Sequence, residues 1–285
     1  MASPFSVRSF RFQWPADLVT SWAFEMEALI LGWYVLSTTG SVNQLVILAA
    51  LAWLGSLFSP FFGLAGDRLG HRIVICVTRG IYALLAAVLA ALTLAGALQP
   101  WHVFAVSAVA GLMRPSDLVM RSVLVGQTMA PGTLLAALGI SRTTSDTARV
   151  AGAFAGAGGV ALIGMGPAYV VVTAMYVAAF FLSLGIARRK AAPTSPAHPL
   201  VDLAQGFRYA WNKPDLLATF AMAFHVNLLA FPFVLGLLPY VAKEIYAAGQ
   251  VGLGYLAAAF WSGALVGSLL VGAGRLPARA ARVML

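Results

Sequence analysis

Two acidic side chains stand inside the first long apolar stretch of the chain. Glu25 and Glu27 fall within Asp17–Ser37, a stretch long enough to cross a membrane as one helix. Counted from Asp17 at about 1.5 Å per residue, they lie roughly 12–15 Å into a hydrocarbon layer about 30 Å thick. A carboxylate at that depth costs roughly 2.5–3.5 kcal/mol unless it faces a cavity, finds a partner or takes up a proton. Both acids are therefore candidates for proton coupling.

The two acids point about 200° apart on a helix, so we expect only one of them to face a cavity. Glu25 shares its side with Ser21, Ala28 and Gly32. Small and polar residues mark helix contacts or cavities rather than lipid, which favours Glu25. Two alternatives remain open. The helix could begin later and leave both acids at the membrane interface, or one acid could pair with a neighbouring helix.

Three further residues are candidates for the wall of a cavity. His225 and Asn227 lie near the middle of Leu216–Val241 and precede Pro232, which would break a helix and free backbone carbonyls. Asn227 could equally form a hydrogen bond between helices, and a lone histidine is more often packed. Trp33 could contact a bulky apolar substrate, although aromatic residues also form belts at the membrane interface.

A cluster of charges precedes another apolar stretch. Arg142, Asp146 and Arg149 can meet on one helix face, because residues three and four apart are neighbours on a helix. We interpret this cluster as structural charge pairing at the cytoplasmic entrance to the fifth span.

The composition excludes most other classes of protein. The chain is 61% hydrophobic and 9% charged, whereas a soluble domain carries about 25% charged residues. Such a chain is an all-α integral membrane protein. Its net charge of +9 is spread over short loops, which argues against nucleic-acid binding. It contains no phosphate-binding glycine loop, nucleophile motif or metal-spaced Cys/His set, so we predict no enzyme, cofactor or metal.

Eight apolar stretches are long enough to span a membrane, and the fourth is expected to extend past Pro115. They are Asp17–Ser37, Leu45–Phe62, Ile73–Leu94, Trp101–Met113, Thr147–Ile163, Ala168–Ile186, Leu216–Val241 and Leu253–Val271. Basic residues concentrate in alternate loops, with Arg114 and Arg121 between the fourth and fifth spans and Lys243 as the exception. This alternation predicts a cytoplasmic N-terminus.

A glycine-rich, charged loop separates the second and third predicted spans. Its pattern is Gly-x-x-x-Asp-Arg-x-Gly-x-Arg, formed by Gly63, Asp67, Arg68, Gly70 and Arg72. Glycines permit a tight turn, and Asp67 could cap the next helix. An ordinary turn of solubilising residues is the alternative. The pattern resembles the loop signature of the major facilitator superfamily, although His71 stands where another basic residue is usual. The resemblance implies a secondary transporter whose halves are latched by this loop on the cytoplasmic side.

The same resemblance implies a domain organisation. Residues 1–187 would form an N-terminal six-helix bundle, 188–215 a cytoplasmic linker with an amphipathic helix, and 216–285 the first two helices of the C-terminal half. Transporters of this superfamily have twelve spans, so we expect the chain to be a truncated form of a longer protein. Ala153 stands where the fifth-helix motif of the antiporters has proline, which leaves antiport open.

Across its length the chain resembles the branch that contains the enterobactin exporter and the macrolide efflux pumps. The residues that carry this are Gly63–Arg72, Gly32–Leu36, Gly206–Tyr209 and Gly254–Leu256. The branch implies proton-driven efflux of a drug or siderophore across the bacterial inner membrane. The expected partners are the lipid bilayer, protons and a small-molecule substrate, with the complete protein a monomer. A facilitator-fold importer or uniporter of a small metabolite, and a membrane remnant without transport activity, are the alternatives.

Overall fold

The computed structural model describes residues 4–187, 208–209, 211–229 and 232–272, and the regular structure within them is helical. The helices are α1 (Arg8–Thr39), α2 (Val42–Leu51), α3 (Ser59–Leu69), α4 (His71–Leu94), α5 (Pro100–Thr128), α6 (Pro131–Ile163), α7 (Met165–Leu184), α8 (Pro214–Leu229) and α9 (Gln250–Gly272). A 3₁₀ turn, Leu54–Phe58, joins α2 to α3. This architecture agrees with the predicted all-α fold class. Most of the predicted linker and its amphipathic helix lies outside the described residues.

Four described helices are long and apolar enough to cross a membrane: His71–Leu94, Pro100–Thr128, Met165–Leu184 and the Gln250–Gly267 part of α9. The bent pair α2 and α3 would make a fifth. Helix α1 is not among these helices, and its acids Glu25 and Glu27 lower its mean hydropathy. Because fewer than eight helices meet this criterion, the eight spans and the three-part domain division stay predictions. Helix α5 continues through Pro115 to Thr128, in agreement with the expectation that the fourth span extends past Pro115.

The second predicted span is broken. Its two helical parts, Val42–Ser56 and Phe61–Leu69, meet at an angle of 52°. At the break, the backbone packs against α5, and a Cβ atom built on Gly111 would overlap the carbonyl oxygen of Leu51. Only a glycine at this position lets the two backbones approach so closely.

The loop between the second and third spans is much shorter than the sequence predicted. Gly63, Asp67 and Arg68 lie in α3, Arg72 lies in α4, and Gly70 is the single connecting residue. Gly70 has a φ of 94°, so the chain turns within one residue and needs no longer loop. Asp67 does not cap α4, because its carboxylate instead lies 3.4 Å from Nε2 of His71.

The described parts of the seventh predicted span differ in helix type on the two sides of residues 230–231. Helix α8 ends at Leu229, and a π-helical segment begins at Pro232 and ends at Leu237. A short α-helical turn, Leu238–Tyr240, and a second π-helical turn, Val241–Ile245, follow. The Pro232–Leu237 segment contacts α2, and the Leu238–Tyr240 turn contacts α1. Leu238 and Pro239 supply part of the cavity wall described below.

Helix α1 occupies the centre of the bundle and contacts α2, α5, α6 and α7. Its approach to α6 is close: a Cβ atom on Gly156 would lie 2.8 Å from the Cα atom of Met26. On the other side, the ring of Phe24 packs edge-on against Tyr82 and Tyr176, with centroids 4.9 and 5.7 Å apart. The position of α1 is therefore fixed by backbone packing on one side and by aromatic packing on the other.

Candidate functional site

A cavity with an accessible volume of about 100 Å³ opens beside α1. One water needs roughly 10–15 Å³, so the space holds several waters or part of a small molecule. Most of its wall is apolar, and its charged side chains are Glu25, Glu27 and Arg114. The apolar wall includes Phe24, Leu29, Leu45, Leu48, Ala52, Val106, Leu238, Pro239, Ala257 and Trp261.

Glu27 is held by two phenolic groups of α7. The hydroxyl groups of Tyr176 and Tyr169 donate to its carboxylate over 2.9 and 3.4 Å. Among the described residues, no basic side chain lies within 4.0 Å of the Glu27 carboxylate. A carboxyl group keeps an acceptor oxygen for such donors whether or not it carries a proton. Glu27 can therefore change protonation state without breaking an ion pair.

Glu25 belongs to an ionic contact instead. Nε of Arg149 on α6 lies 3.6 Å from its carboxylate, and Nη1 of Arg149 lies 3.3 Å from the carboxylate of Asp146. The carboxylate of Asp146 is also 3.3 Å from Nε of Arg142. The guanidinium of Arg149 lies 4.5 Å from the ring centroid of Trp261 on α9. The predicted cluster on one face of α6 is thus brought together, and it extends to α1 and α9.

Both acids line the cavity, contrary to the expectation that only one would face it. The cavity extends around more than one side of α1, because its wall includes residues from Phe24 to Gly32 on several faces of that helix. The angle between the two acids around the helix axis therefore does not exclude either of them from the cavity.

The predicted cavity residues Trp33, His225 and Asn227 do not line this cavity, which corrects the sequence interpretation. Trp33 packs against an apolar cluster that includes Leu238. The side chains of His225 and Asn227 are exposed on α8 and bond back to carbonyl oxygens four residues earlier on their own helix, each over 2.7 Å. That local hydrogen bond satisfies a polar group without any tertiary partner.

Arg114 is a cavity residue that the sequence analysis missed, because it was assigned to a loop. Its guanidinium carbon lies 4.8 Å from the ring centroid of Phe24 and 4.7 Å from that of Trp53. Within the described ranges, no carboxylate oxygen lies within 4.0 Å of its nitrogens. The apolar residues that continue past Pro115 were the available signal that the helix, and Arg114 with it, stays inside the bundle.

A second group of charges was also missed, and we call it the buried charge cluster: Asp17, Arg79, Asp117 and Arg121. Arg79 pairs with Asp17 and lies 3.1 Å from Asp117. Arg121 lies 2.5 Å from Asp117 and 3.6 Å from Asp17. Each acid therefore contacts both arginines, and the hydroxyl of Ser183 accepts a further hydrogen bond of 2.6 Å from Arg79. An arginine inside the predicted span Ile73–Leu94 was the signal available in the sequence.

The buried charge cluster joins three helices, α1, α4 and α5, and the hydrogen bond to Ser183 links it to α7. Both Arg79 and Asp117 are fully buried. Its charges balance as two acids and two arginines. It lies at the end of the bundle where Arg72 of α4 donates a hydrogen bond to the carbonyl of Leu184 on α7. Among the described residues, no three His, Cys, Asp or Glu side chains are arranged to hold a metal ion.

Comparison with known proteins gives this architecture a family. A major facilitator family model described as "Transmembrane secretion effector" matches residues 1–284. Among curated proteins, no match was found. Among solved structures, a crystal structure of D-xylose-proton symporter is similar, with a TM-score of 0.60 and 12% identity over 92% of this chain and 68% of that chain. This likeness shows a shared fold and confirms the predicted facilitator-type bundle.

Proposed function

The chain belongs to the transmembrane secretion effector family of the major facilitator superfamily, which makes it a secondary transporter, and we propose that it exports a small amphipathic compound in exchange for protons. The transporter class follows from the family, whereas the direction, the coupling ion and the substrate class are the proposal. As part of this proposal, the protein lies in a bacterial inner membrane with its N-terminus in the cytoplasm.

The observation that carries this proposal is the presence of two carboxyl groups in one apolar cavity. The hydroxyl groups of Tyr169 and Tyr176 donate to Glu27, and Glu25 lies 3.6 Å from Arg149. Acids at membrane depth face cavities and serve proton pathways in many transporters. A cavity that is mostly apolar, with a few polar groups, suits a compound with an apolar body and a polar end.

The residues of the loop signature have a separate role in this proposal. Gly63, Asp67, Arg68, Gly70 and Arg72 form the cytoplasmic gate, as in the superfamily that the pattern resembles. The hydrogen bond from Arg72 to the last turn of α7 supports a closed arrangement at that end. The description of the matched family as a secretion effector supports export over import.

The test measures transport in inside-out membrane vesicles with a panel of fluorescent amphipathic compounds that includes anionic, neutral and cationic members. We expect at least one compound to accumulate when the vesicle interior is acidic. Glu27→Gln abolishes that accumulation, because glutamine cannot release a proton. The matched control is Glu244→Gln, which removes an exposed acid outside the cavity and leaves transport unchanged.

Unchanged accumulation in Glu25→Gln, Glu27→Gln and the double variant would reject proton coupling through these acids. Direction is decided separately in intact cells. An exporter depletes the compound from energised cells, whereas accumulation would favour the alternative, a facilitator-fold importer or uniporter.

A further inference from the structure

We propose that Arg149 couples the protonation of Glu25 to the contact between α6 and α9, and so acts as the positioning residue of the transport cycle. The inference rests on the proposed function in taking Glu25 as a proton site. It assigns a role to a side chain that the sequence indicated only as a structural charge pair.

Arg149 contacts three helices at once. Its Nε faces the Glu25 carboxylate on α1 at 3.6 Å, its Nη1 faces Asp146 on its own helix at 3.3 Å, and its guanidinium lies 4.5 Å from the Trp261 ring on α9. Glu25 and Trp261 both line the cavity. One side chain therefore connects a cavity acid to an aromatic wall of the same cavity.

The two helix contacts of α6 differ in construction. Towards α1 the contact is a close backbone approach, since a Cβ atom on Gly152 would lie 2.7 Å from the Cβ atom of Glu25. Towards α9 the contact is made by side chains and includes the aromatic pair Phe154 and Tyr255, with centroids 5.7 Å apart, as well as buried alanines. A side-chain contact can change when rotamers change, whereas a backbone contact at a glycine has no side chain to rearrange. We therefore place the pH-dependent change at the contact between α6 and α9.

The charges around these groups fix the direction of the effect. Glu25 is faced by Arg149 from α6 and by Arg114 across the cavity, and Arg149 is faced by Glu25 and Asp146, with Arg142 next along its own helix. When Glu25 takes up a proton, Arg149 loses its attraction to α1 and keeps Asp146 as its remaining carboxylate. The guanidinium then moves along α6 towards Asp146, and its contact with Trp261 weakens.

A cross-linking experiment tests this coupling without transport. Cysteines replace Phe154 on α6 and Tyr255 on α9, whose ring centroids lie 5.7 Å apart, in a Cys76→Ala background. A short bis-methanethiosulfonate reagent reports how often the two helices are in contact. Each cross-linking rate is divided by the labelling rate of the same cysteines with a monofunctional methanethiosulfonate at the same pH, because only the thiolate reacts. We expect this normalised cross-linking rate to fall roughly two- to thirty-fold from mildly alkaline to mildly acidic buffer, the equivalent of a partly buried cation–π contact.

Three variants separate coupling from mere packing. Glu25→Gln, which is nearly isosteric, and Arg149→Gln both give the slow rate at either pH, and Arg149→Lys restores part of the pH dependence. Glu244→Gln keeps the full dependence, because that acid lies far along the chain and pairs with Lys243. Two results overturn the proposal. The first is a cross-linking rate that does not depend on pH in the double-cysteine protein with Glu25 and Arg149 unchanged. The second is a cross-linking rate that still depends on pH in Glu25→Gln or Arg149→Gln.

This outcome is independent of the transport assay. If vesicles show no proton-driven export while the cross-linking still depends on Glu25 and Arg149, the proposed function fails and the coupling stands. If export requires Glu27 but the cross-linking does not depend on pH, the coupling fails and the proposed function stands.

Discussion

The buried charge cluster and the cavity each place several charges inside the same helical bundle, yet they satisfy those charges differently. In the buried charge cluster, each of the two acids faces both arginines, and Arg79 and Asp117 have no exposed surface. In the cavity, Glu27 accepts hydrogen bonds from tyrosines and Arg114 lies beside aromatic rings, and in the described ranges neither has an oppositely charged group within 4.0 Å.

The difference teaches how to distinguish structural from functional charges within a membrane. Charges that neutralise one another hold helices together, because removing one leaves its partner buried without compensation. Charges that face open space with neutral neighbours can accept a proton or a ligand. Depth alone, which is all that a hydropathy pattern reports, does not separate the two groups.

The largest expected effect comes from breaking the buried charge cluster. Arg79→Gln leaves Asp17 and Asp117 with one arginine between them, and we expect the free energy of unfolding to fall by about 3–5 kcal/mol. Unfolding is followed by SDS titration in mixed micelles. The matched control is Arg114→Gln in the cavity, which loses its two cation–π contacts and is expected to cost about 1–2 kcal/mol. Equal losses in the two variants would contradict the distinction.

A pair of double-mutant cycles sharpens the same comparison. The coupling energy between Asp117 and Arg121 is expected to be about 3 kcal/mol, because the acid is fully buried. The coupling between Glu25 and Arg149 is expected to be about 1 kcal/mol, since 15% and 29% of these side chains are exposed. Both are measured as free energies of unfolding. A larger coupling in the cavity pair would show that Glu25 is a structural acid.

A smaller effect is expected where packing, not charge, positions the cavity acids. A Cβ atom on Gly156 would press on the backbone of Met26, the residue between Glu25 and Glu27. Gly156→Ala should therefore destabilise the protein by about 1–3 kcal/mol and lower transport. The control is Gly158→Ala, where no atom lies within 4 Å of the added Cβ. If the two alanines behave alike, the close contact of α1 with α6 does not position the acids.

The smallest effect is expected for the exposed member of the α6 charge cluster. Arg142 pairs with Asp146, but 69% of the Arg142 side chain is exposed. Arg142→Gln should change the free energy of unfolding by no more than about 1 kcal/mol, because water and salt screen exposed ion pairs. A loss as large as that of Arg79→Gln would place Arg142 inside a further buried contact.

The sequence by itself determined the class of the protein and the approximate position of its helices. Its apolar content requires a membrane, and runs of about twenty apolar residues require helices whose backbone groups bond internally. It also determined contacts within one helix: Arg142, Asp146 and Arg149 meet because helical spacing brings residues three and four apart together. The acids Glu25 and Glu27 were recognisable because a carboxylate is rare at that depth.

Only the tertiary structure decided which helices those residues meet. Helical periodicity gives the side of a helix on which a residue lies, but not the partner that faces it. The contact of Arg79 with Asp117 and that of Glu27 with Tyr176 join residues 38 and 149 positions apart. The same reason explains why His225 and Asn227 form hydrogen bonds within their own helix, whereas Arg114, which the sequence assigned to a loop, lines the cavity. Chain connectivity sets local spacing, whereas the packing of distant helices sets the site.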